Sequence, residues 1–389
     1  GAMFVLIGPA IGLAGPAVPK RGILPMVALD AIIPQVGMLI ALLTIPIISK
    51  RVEHNIEYFF LSAGVIAVSV VNMWSLHLLE EALLHPVIIG NIPIGITQVV
   101  LAAGLVFYYA KKRVYGFATR LSNPYILASI VFALGIASSI VSAIVASVIL
   151  AELLALSRLT RTAKVKVSIM AAYSIGIGAA LLPLGEPLST IAIAKLEGEP
   201  YNASFTFLLD NLWDILIPLV ALFSILAYIN VKGVRMIKVW KDKANNNDNN
   251  SIDVIKEYES SVKVVIIRAV KIYAFIFGLT LLGEFFKPLA EPVADLGVYV
   301  LYFFGLVSAA ADNATLTAAL VSNKMSIDEI RAFITSLVIA GGMLIPGNVP
   351  NIVFASIIRI GFKEWARIGV PIGMSVFLAV GALMLALGL

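Results

Sequence analysis

Apolar stretches separated by short polar connections run along the whole chain. A helix needs about 20 predominantly apolar residues to cross a bilayer, and most of the stretches reach that length. They lie at residues 3–19, 23–48, 57–80, 87–110, 124–157, 165–196, 203–230, 262–283, 289–322, 330–358 and 366–389. The pattern predicts an all-α polytopic membrane protein, surrounded by membrane lipid.

Two stretches, 124–157 and 289–322, are too long for one ordinary span, with about 34 residues each against the ~20 required. Basic loops mark the cytoplasmic side of a membrane, and both flanks of the first stretch are basic. We therefore expect a re-entrant hairpin with its tip at 138–142. The second stretch has mixed charge on its flanks and is predicted to be a hairpin that opens to the other side. The basic flanking residues of the first are Lys111, Lys112, Arg113, Arg120, Arg158, Arg161, Lys164 and Lys166.

Two further stretches, 165–196 and 330–358, are interrupted by glycine, proline and polar residues, in LLPLGEPLST and MLIPGNVPNI. Backbone N–H and C=O groups need partners in lipid, so a broken helix persists there only when it packs in protein or lines a polar cavity. We expect two broken transmembrane helices that frame a substrate site. The break residues are Gly185, Pro187, Gly347 and Pro350.

The hairpins and the breaks recur in the same order in both halves of the chain. Gly135 and Gly305 of the two hairpins stand 170 positions apart, and the residues after them share a pattern of small side chains. Gly185 and Gly347 of the two breaks stand 162 positions apart. Because the hairpins open to opposite sides, we predict an inverted-repeat transporter with a site near the membrane midplane. Chance similarity between apolar stretches is the alternative.

These features divide the chain into four parts. The N-terminal scaffold helices occupy 1–122, where the crossing of 3–19 stays open, and a cytoplasmic polar linker with the flexible sequence ANNNDNN occupies 231–261. Repeat 1 occupies 123–230, with the re-entrant hairpin at 124–157, the broken helix at 165–196 and a helix at 203–230. Repeat 2 occupies 262–389, with a helix at 262–283, the re-entrant hairpin at 289–322, the broken helix at 330–358 and a helix at 366–389.

Composition supports a membrane protein. Of the 389 residues, 60% are hydrophobic and 13% are charged, whereas soluble domains carry about 25% charged residues. The net charge of +5 lies mostly in loops between spans, where it predicts orientation and not a nucleic-acid partner. The chain has no cysteine, so disulfides and thiolate metal sites are excluded, and we expect no cofactor and no enzymatic activity.

The clearest candidate for chemistry is Asp312, midway along the second hairpin in SAAADNATLTAAL. An ionised carboxylate there costs at least about 2.5 kcal/mol unless it has a partner. Asn313, Thr315 and Thr317 offer neutral oxygens nearby, so Asp312 and Asn313 are predicted to bind Na⁺. The alternative is a carboxylate held by a basic side chain, but no mid-span Arg or Lys is obvious.

Glu186, between the glycine and the proline of the first break, is the second candidate. It either binds the ion or carries H⁺, because burial favours the protonated carboxyl and lets Na⁺ and H⁺ compete. The alternative is a structural carboxylate that caps a broken helix. Other polar residues at the breaks either bind substrate or satisfy interrupted backbone, and the serines of the first hairpin are further candidates for the binding site. They are Asn348, Asn351, Ser189, Thr190, Ser138, Ser139 and Ser142. Glu152 is explained as well by helix packing as by a function, and the three histidines show no metal-binding spacing.

The motifs SAAADNATLTAAL, GGMLIPGNVPNIVFA and LPLGEPLSTIAIA resemble the ion transporter superfamily. Within it they are similar to a prokaryotic family of proposed cation transporters and to the NhaD-type sodium/proton antiporters. The resemblance implies a scaffold of outer helices, a homodimer, an elevator-like moving domain and a multi-pass location in the prokaryotic inner membrane. It places the hairpin Asp-Asn pair on Asp312 and Asn313, and the second break on Gly347, Asn348, Pro350 and Asn351. Relatives often carry Asp-Asn in both hairpins, whereas Ser142-Ala143 stands in the first hairpin here.

Three functions follow as expectations. The preferred one is secondary active cation transport by Na⁺/H⁺ antiport. The second is Na⁺-coupled transport of a small anion, such as a carboxylate or arsenite, although the Ser-Asn-Thr signatures of the dicarboxylate carriers are missing. A remote third is an intramembrane aspartyl protease, which the sequence disfavours because it has no G-x-G-D motif.

Overall fold

The computed structural model describes residues 29–53, 55–88, 95–242, 262–289 and 297–387. This part of the chain contains sixteen α-helices and no strand. The helices are α1 Leu29–Ile48, α2 Lys50–Glu53, α3 Ile56–Val70, α4 Leu76–Leu84, α5 Ile96–Arg120, α6 Pro124–Val141, α7 Ala143–Leu156, α8 Arg161–Ala179, α9 Pro187–Lys195, α10 Phe207–Asp242, α11 Val262–Phe286, α12 Val298–Phe304, α13 Asn313–Leu320, α14 Ile327–Gly341, α15 Val349–Ile358 and α16 Phe362–Leu387.

Four of these helices are long and apolar enough to cross a membrane. The segments that meet both conditions are Pro124–Val141, Phe207–Lys232, Val262–Phe286 and Phe362–Ala386. The described chain is therefore an all-α protein with the helices of a membrane protein, as its hydrophobic pattern predicts.

The N-terminal helices differ from the predicted spans. The apolar stretch 57–80 is not one helix, because α3 ends at Val70 and α4 begins after Ser75, whose hydroxyl accepts a hydrogen bond from Leu78 N at 3.0 Å. Asn72 in the connection has a φ of 54°, which breaks the helical path. Helix α5 begins later than predicted and continues to Arg120, so the basic run after residue 110 is helical. The predicted segment 3–19 lies outside the described residues.

Both predicted hairpins contain a helix, a break and a second helix. In the first, α6 and α7 are joined at Ser142, which has a φ of 89° and accepts a hydrogen bond from Ile144 N at 3.3 Å. In the second, α12 continues as a 3₁₀ turn at Gly305–Ala309, and α13 starts after Asp312. The second hairpin was predicted from residue 289, and the structure starts its first helix at Val298.

Both predicted broken helices are interrupted at the glycine and proline positions. Helix α8 ends at Ala179 and α9 begins at Pro187, whereas α14 ends at Gly341 and α15 begins at Val349. Proline fits the first turn of a helix because the N–H groups there have no intrahelical acceptor. This preference explains why each second segment restarts where it does.

The prediction of a polar linker from residue 231 was wrong for its first part. Helix α10 continues from the predicted helix 203–230 to Asp242 without interruption. Val231, Val234 and Ile237 recur at a helical spacing, which the charged residues between them had obscured. The Asn-rich sequence 244–250 lies outside the described residues. Helix α16 likewise begins at Phe362, four residues before the predicted 366.

Two sets of helices surround the breaks. Helix α11 packs against α3 and α5, while α6, α8 and α10 pack on one another. Each interrupted element ends in a short helix that follows its break, and these short helices pack between the two halves of the chain. Helix α7 packs against α15, and α9 packs against α13. The hairpin of each half therefore packs against the broken helix of the other half.

A buried ion pair joins the first of these sets to the first hairpin. Arg268 of α11 is 8% exposed and donates from a guanidinium nitrogen to Glu152 of α7 at 2.9 Å, and Glu152 is 1% exposed. The sequence had suggested no mid-span basic residue and a packing role for Glu152. The structure contradicts the first expectation, and it pairs this arginine with Glu152 and not with Asp312.

Replacing Arg268 by methionine is expected to lower stability strongly. The change removes the positive charge beside a buried carboxylate, and breaking such a pair costs about 3–5 kcal/mol. Thermal unfolding of the detergent-solubilised protein measures the loss, and Lys263→Met on the exposed side of the same helix is the matched control. The double variant with Glu152→Gln should recover part of the stability. If Arg268→Met melts at the same temperature as Lys263→Met, the pair contributes nothing.

Candidate functional site

One cavity of about 250 Å³ lies where the four interrupted elements meet. It is lined by both breaks, by the starts of α7 and α13, and by parts of α5 and α11. The residue before each second helical segment faces it. These four residues are Ser142, Glu186, Asp312 and Asn348.

Glu186 precedes Pro187 and is the N-cap residue of α9, in extended backbone with a φ of −155°. Its side chain is 9% exposed and makes no capping hydrogen bond. Its Oε1 atom is fully buried and has no hydrogen-bond partner among the described residues. A buried polar atom without a partner is costly, so this oxygen is available to a ligand or a proton.

Asp312 is the N-cap residue of α13 and is half-buried. Its Oδ2 atom accepts hydrogen bonds from Thr315 N at 3.0 Å and from Thr315 Oγ1 at 3.2 Å. No lysine or arginine of the described chain forms an ion pair with Asp312 or with Glu186. In the described part of the chain, the two carboxyls therefore share the cavity without a lysine or arginine partner.

Asn313 follows Asp312 and is 3% exposed. Both its amide nitrogen and its amide oxygen are buried without a partner in the part of the chain that the structure describes. Gly341 packs against this amide. A Cβ atom added to Gly341 would lie 2.9 Å from the Asn313 amide nitrogen. The amide therefore offers a free donor and a free acceptor beside the carboxylate of Asp312.

The structure brings only part of the predicted set into the cavity. The predicted residues that line it are Ser142, Gly185, Glu186, Pro187, Thr190, Asp312, Asn313 and Asn348. The predicted residues that do not line it are Ser138, Ser139, Ser189, Thr315, Thr317, Gly347, Pro350 and Asn351.

Three of the predicted hydroxyl groups that do not line the cavity donate to backbone carbonyls of helices. Ser138 donates to Ile175 O at 2.9 Å, Ser139 to Ile136 O at 2.8 Å, and Thr317 to Asn313 O at 2.8 Å. Ser139 and Thr317 bond within their own helices, whereas the Ser138 hydroxyl lies between Gly135 O of its own helix, at 2.6 Å, and Ile175 O of α8.

At the breaks, the side chains of the second segments close onto the ends of the first. Ser189 donates to Ala179 O at 3.3 Å, and Asn351 donates to Gly341 O and to Leu344 O at 2.7 Å each. Thr190 lines the cavity but donates its hydroxyl to Pro183 O at 2.6 Å. These bonds replace the helical hydrogen bonds that the breaks remove.

Two polar residues that line the cavity were not among the predicted site residues. His85, after α4, contacts Thr280 of α11 at 2.8 Å through Nδ1, and both line the cavity. The two residues are 195 positions apart, and neither belongs to a motif. No local pattern could have joined them to the two carboxyls.

The arrangement suits a hard cation or a proton. Carboxylate, amide and hydroxyl oxygens are the ligands that such cations prefer, and a pair of nearby carboxyls resists losing both protons. The described residues contain no group of three His, Cys, Asp or Glu side chains that could hold a metal ion. The donor set is that of a weak, oxygen-based site.

Comparison with known proteins gives a family but no activity. No curated protein matches the chain. A family model described as "Protein of unknown function (DUF1646)" matches residues 32–387. This match covers nearly the whole sequence, and the chain therefore belongs to the DUF1646 family.

Proposed function

We propose that this protein is a secondary active cation transporter that exchanges Na⁺ for H⁺. The observation that carries the proposal is the pair Glu186 and Asp312, which share a buried cavity and form no ion pair with a described lysine or arginine. Charge at this depth needs a compensating cation or a proton. Na⁺ and H⁺ would compete for the same oxygens, and competition at one site couples their movements.

The two carboxyls lie together because of the crosswise packing. Glu186 starts α9 and Asp312 starts α13, and these two helices pack against each other. The other packed pair, α7 and α15, starts with the neutral residues Ser142 and Asn348. The cavity therefore has an acidic side and a neutral side, and Na⁺ would bind on the acidic one.

The hairpins support a duplicated architecture. Ser138 donates to Ile175 O, and Ser308 donates to Leu337 O at 2.9 Å. The serines stand 170 positions apart and the acceptors 162 positions apart, which are the same two offsets that align the hairpins and the breaks. Recurrence of this contact at both offsets supports a duplication over a chance resemblance between apolar stretches.

The breaks supply further correspondences. Ser189 bonds to Ala179 O as Asn351 bonds to Gly341 O, again 162 positions later. Glu186 and Asn348, also 162 positions apart, have almost the same backbone conformation, with φ values of −155° and −154°. We propose that the two halves are inverted repeats, with two re-entrant hairpins and two broken helices.

This architecture would operate by alternating access. Repeat interfaces in transporters place the substrate near the membrane midplane, and one unit moves against the other. We propose that the paired hairpins and breaks move against a scaffold that includes α3, α5 and α11, in a multi-pass protein of the prokaryotic inner membrane. In a homodimer, contacts between the two scaffolds would keep them fixed while the hairpins and breaks move.

A second candidate function is Na⁺-coupled transport of a small anion. The neutral starts of α7 and α15 bring backbone N–H groups and the positive ends of two helices to the same cavity, which favours an anion. The cavity volume of about 250 Å³ is close to the lower bound of about 300 Å³ for small-molecule pockets. The helix starts therefore favour an anionic cargo, and the cavity volume favours one larger than a bare ion.

One experiment separates the candidates. The purified protein in liposomes on a solid-supported membrane is given concentration jumps of Na⁺, Li⁺, K⁺, carboxylates and arsenite at several pH values. Proton movement driven by Na⁺ without any anion supports the antiporter. Uptake of a labelled anion that requires Na⁺ supports the second candidate and overturns the first. If there is neither a solute-driven current nor a Na⁺-driven pH change inside the liposomes, and no labelled anion is taken up, both candidates are overturned. A casein-cleavage assay on the same sample then tests the protease hypothesis.

Replacing Glu186 by glutamine is expected to uncouple H⁺ from Na⁺. The amide cannot release a proton, so Na⁺-driven proton movement should fall by at least about tenfold, which corresponds to ~1.4 kcal/mol. Na⁺ binding should persist through Asp312 and become less dependent on pH. The measurement uses a pH-sensitive dye inside the liposomes, with the exposed Glu197→Gln after α9 as the control. Exchange at the control rate would contradict the role of Glu186.

A further inference from the structure

A second cavity, of about 530 Å³, is lined by residues of α2, α3 and α11 and by residues of the second break, α15 and the start of α16. Its lining includes Arg359 and Glu364. Arg161 donates to Arg359 O at 2.9 Å and to Glu364 Oε2 at 2.8 Å. Since Arg161 belongs to the basic flank that is predicted to be cytoplasmic, we assign this cavity to the cytoplasmic side and call it the vestibule. The cavity lined by Glu186 and Asp312 is the cation cavity.

The two cavities follow each other along the same elements. On α11, Phe275 lines the vestibule and the residue after it lines the cation cavity. In the second break, Ile345 lines the vestibule and the residue after it lines the cation cavity. On α15, Ile352 lines the vestibule, and Val349, about one turn earlier, lines the cation cavity. The vestibule and the cation cavity therefore adjoin at the level of Phe275, Ile345 and Ile352.

The residues at this junction are apolar and buried. Phe275 is 1%, Ile345 2% and Ile352 4% exposed, and all three belong to one cluster of buried hydrophobic residues. The Phe275 ring packs against the Phe60 ring of α3 with a centroid distance of 5.0 Å, so it is held by helices that we assign to the scaffold. Ile345 and Ile352 belong to the second break and to α15, which we assign to the moving part. The junction therefore lies between the two parts that are proposed to move against each other.

Charged side chains line the vestibule before this junction. On α11, Lys271 lies about one turn before Phe275 and pairs with Glu57 of α3 at 3.5 Å. Arg268 lies about two turns before Phe275 on the same helix. A cavity of this size with polar groups in its wall has the room and the partners that water needs, whereas an apolar constriction excludes water and ions. Water is therefore expected to enter the vestibule and to stop at Phe275.

We propose that the vestibule is the route between the cytoplasm and the cation cavity, and that Phe275, Ile345 and Ile352 form an apolar gate across it. The inference rests on the proposed cation transport. While α15 packs against α11, the gate is closed, and a cation bound by Glu186 or Asp312 cannot leave to the cytoplasm. Movement of the second break and α15 away from α11 opens the gate.

The test measures access of water to single introduced thiols, which give no background signal because the chain has no cysteine. Val349→Cys places the thiol in the cation cavity and Ser356→Cys places it in the vestibule, both on α15. A membrane-impermeant cationic methanethiosulfonate is added to inside-out vesicles, and mass spectrometry of the intact protein follows the adduct. Each thiol is combined with Phe275→Ala and with Phe277→Ala. Phe277 is the matched control, because it lies on the same helix and lines neither cavity.

Ser356→Cys should react at the same rate with either alanine substitution. Val349→Cys should react slowly with Phe277→Ala and at least about tenfold faster with Phe275→Ala, which corresponds to a barrier lower by ~1.4 kcal/mol. Ile352→Ala shortens the opposite wall of the gate and should act like Phe275→Ala, so the proposal stays testable if one variant does not fold.

Two results would overturn the inference. If Val349→Cys reacts equally fast with Phe275→Ala and with Phe277→Ala, there is no gate at this junction. If Ser356→Cys does not react in inside-out vesicles, the cavity is not open to the cytoplasm. Labelling needs no ion gradient, so it is independent of exchange. The expected labelling in a protein that moves no protons with Na⁺ would overturn the antiport and support the gate.

Discussion

Replacing Asp312 by asparagine is expected to abolish Na⁺-driven proton movement. The carboxylate is the charged ligand at the start of α13, and an intramembrane charge is worth at least about 2.5 kcal/mol, or roughly a hundredfold in binding. Asparagine is as good an N-cap residue as aspartate, so the hydrogen bond from Thr315 N should survive. The variant removes charge while it keeps the helix start.

Asp210→Asn is the matched control for this prediction. Asp210 also lies near the start of a helix and accepts a hydrogen bond from Thr206 Oγ1 at 2.8 Å, but it is exposed. Both variants are reconstituted at equal density, and exchange is recorded with a pH-sensitive dye after a Na⁺ jump. Equal melting temperatures would show that folding is intact. Exchange by Asp312→Asn at the rate of Asp210→Asn would refute the assignment of the ion site.

Charge loss at Asp312 also distinguishes the two transport candidates. An antiporter should lose Na⁺ and H⁺ movement together, because both bind the same oxygens. An anion transporter should lose the dependence of uptake on Na⁺, while weak anion binding at the starts of α7 and α15 remains. Binding of a labelled anion to Asp312→Asn therefore favours the second candidate.

The sequence predicts the interrupted elements well because glycine, proline and polar residues are rare inside apolar stretches. The structure interrupts the chain next to Ser142 and before Pro187, where such residues stand. It also ends α3 at Val70, inside a stretch that was predicted to be continuous. Asn72 and Ser75 are the only signals there, and in a chain this apolar such residues also occur within helices.

The parts that sequence could not supply are contacts between distant residues. Arg268 and Glu152 are 116 positions apart, and neither neighbours a motif. The repeat offsets place Ser142 opposite Asp312 and Glu186 opposite Asn348. They do not show that α9 packs on α13, which is the contact that brings both acids to one side of the cavity. The acidic side of the cavity thus follows from helix packing between the two halves, which the sequence alignment of the halves does not predict.

Alanine at either break glycine is expected to damage folding and transport together. A Cβ atom on Gly185 would meet Ala179 O, and one on Gly347 would meet Gly341 O, each at less than 3.0 Å. A backbone carbonyl cannot rotate away as a flexible side chain can, and overpacking of this kind costs about 1–3 kcal/mol. The same two carbonyls accept the hydrogen bonds that tie α9 and α15 to α8 and α14. The methyl groups should therefore displace the N-cap residues that line the cavity.

Gly185→Ala and Gly347→Ala should each lower the melting temperature of the protein in detergent by about 2–3 °C for a loss of ~2 kcal/mol. They should also lose most of the Na⁺-driven exchange. Gly116→Ala is the matched control, because nothing lies within 4 Å of its added Cβ atom on α5. The two break variants should behave alike, since the same contact recurs 162 positions later in both halves. If one of them melts and transports like Gly116→Ala while the other fails, the breaks are not equivalent, and the duplicated architecture loses its best structural support.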